Sequence, residues 1–362
     1  MMERIVVNTG VPYEVLLENG LLEHAGELTA GAVAGRKAVI ACDGLIAPQY
    51  LNTVRAAFGH AGFETSACLL YGGEKGKTLA AVEQLTTAAA EADLGHDGLF
   101  VALGGGVTGD ITGLAASLYM RGIDWVQLPT TLLAMADAAA GGKTAVNAAG
   151  EKNLIGAFHQ PRLVLCDPDV LKTLPLQLMD EGMAEIIKYG AIGSAELLDS
   201  IRNGAQPETL ITACIRMKAA IVEQDEHDRG QRRLLNFGHT FGHALERLND
   251  FAIYHGEGVA VGMLIAAFAA EQHGLCPAGV YEDLRLLVKA NHLPACTRFT
   301  AADIARTALR DKKRVGDVLT LIMPTARGRC ELFPIATGDL EGFIACCDGT
   351  VTGCAEEKTR EI

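Results

Sequence analysis

Short apolar runs alternate with helical periodicities through the first half of the chain. Arg4–Asn8, Tyr13–Leu17, Lys37–Cys42, Thr65–Leu70, Gly98–Leu103, Trp125–Leu128 and Leu163–Cys166 read as strands, with helical stretches such as Ala80–Ala92 between them. That alternation predicts a mostly parallel sheet covered on both faces. Beyond about Pro175 the apolar spacing changes to three and four residues, over Leu178–Tyr189, Glu208–Glu223, His239–Leu248 and Val259–His273. A late pair, Val318–Met323 and Cys330–Phe333, predicts a hairpin around residues 325–328. The expected architecture is a Rossmann-like α/β domain over residues 1–175, a mainly α-helical domain over 176–345 and a mobile tail over 346–362. A small-molecule site is expected in the cleft between the domains.

Composition narrows the function. The chain has 362 residues, 49% hydrophobic and 21% charged, enough for a large core, and its net charge of −13 argues against nucleic-acid or anionic-membrane partners. The longest apolar run, Val259–Ala270, is too short to span a bilayer. The first residues suggest no secretory leader. Ten cysteines without a CxxC pair are expected to be reduced core thiols of a cytoplasmic protein, with Cys346, Cys347 and Cys354 a weaker candidate for a redox or metal cluster.

Three patterns carry candidate chemistry. Leu99–Leu103 runs into Gly104-Gly105-Gly106-Val107-Thr108-Gly109-Asp110, which satisfies GxGxxG between a strand and a helix. Its glycines let backbone N–H groups approach a pyrophosphate at a helix N-terminus. The same turn also serves as a tight structural connection, and Asp43 after Lys37–Cys42 is either a ribose partner or part of a turn. Second, His239 and His243 stand four residues apart, with His255 downstream and Glu185 upstream. Histidine nitrogen and carboxylate oxygen suit zinc. No glutamate lies between the two histidines, so a hydrolytic HExxH reading fails. A ligand from His255 and one from Glu185 leave one imidazole for proton transfer. Third, Arg121, Lys143, Lys152, Lys188, Lys218, Arg232 and the pair Lys312-Lys313 lie in apolar or glycine-rich surroundings, where several together would hold phosphate and carboxylate. Gly141–Thr144 lacks the earlier glycine of a true P-loop. Gly141–Thr144 and Gly150–Asn153 are read as loop tips.

Taken together, Gly104–Asp110, Arg121–Asp124, Leu128–Ala134, Asp137 with Gly141–Thr144, Lys152–Phe158, Ala184–Gly190, Leu235–His243, His255–Met263 and Asp311–Lys313 resemble 3-dehydroquinate synthase, of the sugar phosphate cyclase superfamily, from about Asp43 to Pro324. The resemblance implies an NAD- and zinc-dependent lyase (cobalt being an alternative metal) of the shikimate pathway, working as a homodimer. Such enzymes convert 3-deoxy-D-arabino-heptulosonate 7-phosphate to 3-dehydroquinate and phosphate, by transient oxidation, phosphate elimination, reduction, ring opening and aldol closure. It implies metal ligands at Glu185, His239 and His255, leaving His243 as the acid/base candidate. The implied catalytic set is His243, Lys152, Arg121 and Asn236. Substrate contacts are implied at Asp137, Lys143, Lys152, Asn153, Lys188, Lys218, Arg232, Asn236 and one of Lys312 and Lys313. NAD contacts are implied at Asp43, Glu74, Lys77, Gly106, Val107, Thr108, Gly109, Asp110, Thr130, Thr131, Lys143, Lys152, Val170, Leu171, Lys172 and Thr173. The chain departs from the family pattern at Ala138 and Ala139, where two serines are common, at Ala145, where glycine is frequent, and at Gly72, where the common opening is Asp-Gly-Glu. Competing readings are 2-deoxy-scyllo-inosose or epi-valiolone synthases, a glycerol-dehydrogenase-like polyol dehydrogenase, and a non-catalytic binder.

Overall fold

The computed structural model describes residues 2–309 and 317–354, which divide into two units. The first comprises Met1–Pro175 with Pro207–His227, and the second Leu176–Gln206 with Asp228–Ile362. In the first unit the strands are β1 (Glu3–Val7), β2 (Tyr13–Leu17), β3 (Lys37–Asp43), β4 (Glu64–Leu70), β5 (Leu99–Gly104), β6 (Asp124–Pro129), β7 (Lys143–Ala148), β8 (Glu151–Phe158) and β9 (Leu163–Cys166). Its helices are α1 (Ala25–Ala32), α2 (Ala47–His60), α3 (Leu79–Glu91) and α4 (Gly106–Leu118). Seven strands form one sheet in the order β1-β2-β9-β6-β5-β3-β4, parallel except for β1 against β2. β5 is buried along its whole length, as expected of a strand covered on both faces. One face packs Val39, Ala41, Phe100 and Ala102 against Ile111, Leu114 and Trp125.

β7 and β8 form a separate antiparallel hairpin. Of the loop tips expected at Gly141–Thr144 and Gly150–Asn153, Gly150 is in the turn of this hairpin, whereas Lys143 and Thr144 begin β7 and Glu151, Lys152 and Asn153 begin β8. Gly141, Gly142 and Gly150, all at positive φ, make the entry and the turn. A second correction concerns the helix Pro207–Gln224. It was expected in the helical half, yet it belongs to the first unit, held there by Arg216 to Glu3 (2.8 Å) and by Glu223 accepting from the Asn8 amide (2.8 Å).

The second unit contains α5 (Leu176–Gly193) and α6 (Ala195–Arg202). The Pro207–Gln224 helix of the first unit is α7, and α8 (His239–Leu248), α9 (His255–Gln272), α10 (Val280–Ala290) and α11 (Ala301–Ala308) follow it. The late hairpin is β10 (Val318–Ala326) with β11 (Arg329–Ala336). α9 is buried almost all round, consistent with a central helix ringed by α5, α8 and α10. Among the described residues no helix is long and apolar enough to cross a membrane. Residues 348–354, expected to be mobile, are tied down: Val351 is buried, and Cys354 N–H donates to the Thr297 carbonyl at 3.0 Å. None of the ten cysteines forms a disulfide, and seven of them are buried.

Candidate active site

The glycine-rich turn joins β5 to α4 at the place where the sheet's winding reverses. β4 lies on one side of β3 and β5 on the other, so the connections that leave the carboxyl ends of β3 and β5 run in opposite directions, the usual seat of a dinucleotide in open α/β sheets. Asp43 ends β3 and Gly104 ends β5. The glycines here are required by close approach. A Cβ on Gly104 would meet Thr108 Oγ1 at 2.5 Å, and one on Gly109 would meet Gln127 Oε1 at 2.7 Å. A Cβ on Gly106 would meet the Ala138 methyl at 3.2 Å. The first turn of α4 thus presents bare backbone at the end of the sheet.

Side chains around that turn form a network. Lys77, 4% exposed, donates to Asp110 and to Asn153 Oδ1, each at 2.5 Å. Burial raises the Asp110 carboxyl above the ordinary range, and the Lys77 ammonium opposes it. Asn147 donates to Glu74 Oε1 (2.7 Å), while its own Oδ1 accepts from the Asn153 N–H (2.9 Å). These contacts dock the β7–β8 hairpin on the Glu74–Lys77 turn. Asn153 sits at φ +53°, a left-handed position that asparagine tolerates. Residues 134–138 form a single π-helical turn, and Lys218 of α7 reaches both the Asp137 carboxylate and its backbone carbonyl (2.7 Å). Thr130 is buried beside the turn, Thr131 Oγ1 accepts from Ala134 N–H, and the Val170 carbonyl accepts from Tyr50. Val170 and Leu171 are buried, whereas Lys172 is exposed and ion-paired with Asp169. Arg121 and Lys143 are exposed, and Met120 and Arg121 both adopt positive φ, a strained pair for non-glycine residues.

In the second unit, Glu185 of α5 lies between two imidazoles. Its Oε1 is 3.6 Å from His239 Nε2 and 3.4 Å from His255 Nε2. Two donors each about 2.1 Å from a tetrahedral ion stand about 3.4 Å apart, so this spacing fits a shared cation. Both Glu185 oxygens are buried and lack a hydrogen-bond partner of ordinary geometry, and Oε2 pairs with the buried Lys188 ammonium. The second nitrogen of each imidazole faces an acceptor: His239 Nδ1 the Phe237 carbonyl (3.1 Å), and His255 Nδ1 the Glu246 carboxylate (3.0 Å). A carbonyl only accepts, so His239 Nδ1 carries the hydrogen and Nε2 presents its lone pair. His243 completes a group in which one ligand atom from each histidine lies within 4.8 Å of the others. By reach alone His243 is also a ligand candidate. His239 and His255 also approach Glu185 Oε1, at 3.6 and 3.4 Å.

Electrostatics favour a cation at this point. Burial by itself lowers the His255 pKa, but the carboxylates of Glu185 and Glu246 outweigh it and raise the value to about 10. Glu181, one turn before Glu185, accepts from the His255 backbone N–H at 3.2 Å, and burial raises its own pKa. An environment that holds a proton this firmly also suits a divalent ion. Arg232 is buried in the same unit, and Asn236 Nδ2 donates to the Arg233 carbonyl. Lys312 and Lys313 lie outside the described residues.

α8 and α9 meet through four glycines. A Cβ on Gly262 would stand 2.0 Å from the Gly238 carbonyl oxygen, and one on Gly242 would stand 2.9 Å from the Gly258 backbone. The helices therefore touch backbone to backbone, which brings His239 and His243 of α8 up to His255 at the start of α9.

Comparison with known proteins bears on this arrangement. Two family models match in succession, the 3-dehydroquinate synthase N-terminal model over residues 67–181 and the C-terminal model over 182–314. A 3-dehydroquinate synthase of Enterococcus faecalis is 40% identical over 341 residues, covering 92% of this chain and 95% of that relative. One from Nostoc punctiforme is 41% identical over 342 residues, covering 89% and 94%. The chain belongs to the 3-dehydroquinate synthase family. Among solved structures, 2-deoxy-scyllo-inosose synthase complexed with carbaglucose-6-phosphate, NAD+ and Co2+ is 26% identical with a TM-score of 0.83, covering 95% of this chain and 99% of that one. A 2-epi-5-epi-valiolone synthase from Streptomyces hygroscopicus with NAD+ and Zn2+ bound is 26% identical with a TM-score of 0.84, covering 94% and 98%. A glycerol dehydrogenase from Schizosaccharomyces pombe, 15% identical with a TM-score of 0.64, shares the fold, covering 92% of this chain and 88% of that one.

Among the departures from the family pattern, Ala138 is the methyl that faces Gly106, and Ala139 is buried, its carbonyl accepting from Gln127 Nε2 at 2.9 Å. Nothing in the structure explains Ala145. Gly72, at φ +94°, occupies a conformation rare for L side chains, so its turn is shaped by glycine. Sequence reasoning passed over Asn147, Glu181 and Glu246. The signals for the latter two were positional: Glu181 is one turn before Glu185, and Glu246 is two turns after His239.

Proposed function

We propose that this chain is a 3-dehydroquinate synthase that binds NAD and a divalent cation, zinc or cobalt, and converts 3-deoxy-D-arabino-heptulosonate 7-phosphate to 3-dehydroquinate and inorganic phosphate. The observation that carries the reading is Glu185 Oε1 between the Nε2 atoms of His239 and His255, in a chain of this family. When bound, the cation supplies Lewis acidity toward a substrate oxygen and NAD supplies reversible hydride acceptance. The reaction ends without net oxidation, so the cofactor needs a firm seat and no second redox partner.

The chain's own groups do the rest. Glu185, His239 and His255 hold the cation. The bare first turn of α4, from Gly106 through Asp110, takes the pyrophosphate, with Asp43 toward a ribose and Glu74, Lys77, Thr130, Thr131 and the 170–173 segment around the dinucleotide. Lys143, Lys152, Asn153, Lys188, Lys218, Arg232, Asn236 and Arg121 bind the anionic groups of the substrate and favour departure of phosphate by stabilising its charge. Asp137 orients Lys218. His243, adjoining the ligand pair, moves protons between substrate oxygens and solvent. A cytoplasmic, homodimeric enzyme completes the proposal; cysteines kept as thiols support the first and the family relationship the second.

The test is phosphate release from the heptulosonate phosphate with NAD, before and after chelation. Metal-dependent release with no accumulated NADH is expected. NADH rising in proportion to product would make the chain a polyol dehydrogenase instead. The other sugar phosphate cyclases are the nearer rival, and 26% identity to them against 40% to the synthases weighs against it.

A further inference from the structure

We infer that Glu246 is a positioning residue for the metal centre: its carboxylate fixes the His255 ring so that Nε2 faces Glu185. The inference rests on the metal assignment proposed above. Glu246 is 1% exposed, and its Oε1 lies 3.0 Å from His255 Nδ1. Nδ1–H donates to this buried carboxylate, which leaves Nε2, 3.4 Å from Glu185 Oε1, as the nitrogen available to a cation once its own proton is displaced. A metal-binding imidazole held by a carboxylate on its far nitrogen is both oriented and made a stronger donor.

The scaffold is built for this contact. Glu246 is seven residues after His239 on α8, so one helix face presents a ligand, His243 and the positioning carboxylate in turn. A Cβ on Gly258 of α9 would meet Glu246 Cγ at 3.3 Å, so the glycine leaves room for the glutamate stem. Glu181 takes the His255 backbone N–H, fixing the first residue of α9. His255 is thereby gripped from α5 by its backbone and from α8 by its ring. On His239 the far nitrogen faces the Phe237 carbonyl, a neutral acceptor.

The experiment measures cobalt binding by chelator competition and by the visible absorption of the bound ion, in the full chain and in Glu246→Gln and Glu246→Ala. Apo-protein melting and NAD affinity serve as fold controls. With both controls unchanged, cobalt affinity is expected to fall about 10-fold in Glu246→Gln and up to about 100-fold in Glu246→Ala, the range seen when such supporting groups are lost. The absorption spectrum should shift as the imidazole is freed. A glutamine variant with wild-type cobalt affinity and an unchanged spectrum overturns the inference, whether or not the alanine variant folds. Wild-type protein that binds no cobalt would sink the metal assignment itself, a separate failure.

Discussion

The chemistry of the second unit turns on which imidazole nitrogen carries a hydrogen. His239 and His255 each direct one nitrogen at an acceptor and the other toward Glu185, whereas His243 joins them from the next turn of α8. Their substitutions should therefore separate. His255→Ala is expected to abolish stoichiometric zinc, measured by metal analysis after dialysis. His243→Ala should retain zinc while turnover falls about 10²–10⁴-fold, the span for loss of a general acid or base. Equal zinc loss in both would make His243 a ligand. The unassisted sequence left these roles open, since spacing treats His239 and His243 alike. Glu246 was hidden for a related reason: an acid on an amphipathic helix ordinarily faces water, whereas this one is buried, its stem against Gly258 of α9.

Elements decide how tightly those side chains are held. α8 and α9 touch through Gly238, Gly242, Gly258 and Gly262, with no room for a methyl group at Gly262. Gly262→Ala should destabilise the protein by about 1–3 kcal/mol through overpacking, read from the urea midpoint, and weaken metal binding by moving His255 away from His239. Unchanged metal affinity would show that the ligand spacing does not depend on the crossing. The helical bounds of α8 were legible because its apolar residues repeat every three or four positions. The β7–β8 hairpin was not. Its glycines look like loop punctuation, and the contacts that make it a hairpin are its own cross-strand bonds and those to the Glu74–Lys77 turn. α7 was placed in the wrong half because the partners that hold it, Glu3 and Asn8, lie more than two hundred residues earlier.

Across the whole molecule, buried thiols and bound metal set the conditions of stability. Burial pushes Cys42 and Cys166 up to about 12 and raises Cys330 and Cys347 further. Unfolded thiols ionise near their ordinary value of 9.0, while the folded ones keep their protons, so the unfolded state binds fewer protons above that pH. Stability should be indifferent to these groups below about pH 8 and fall as pH rises from 9 toward 12. Urea midpoints at pH 8 and pH 10.5 check the sign. In the other direction, metal that binds only the folded chain should raise the melting temperature in proportion to the logarithm of its concentration, and chelation should remove that gain. A melting curve indifferent to zinc would contradict the site.

The seven strands of the main sheet, the glycine turn after β5 and the family were legible in the chain's local pattern, because periodicity, turn chemistry and motif spacing are properties of neighbouring residues. Tertiary structure alone decided that α7 completes the first unit and that residues 348–354 are anchored. It also decided that Glu185 reaches two imidazoles from a different helix and that Glu246 lies buried behind His255. Those facts depend on which distant segments come within a hydrogen-bond length of one another, which local pattern does not encode.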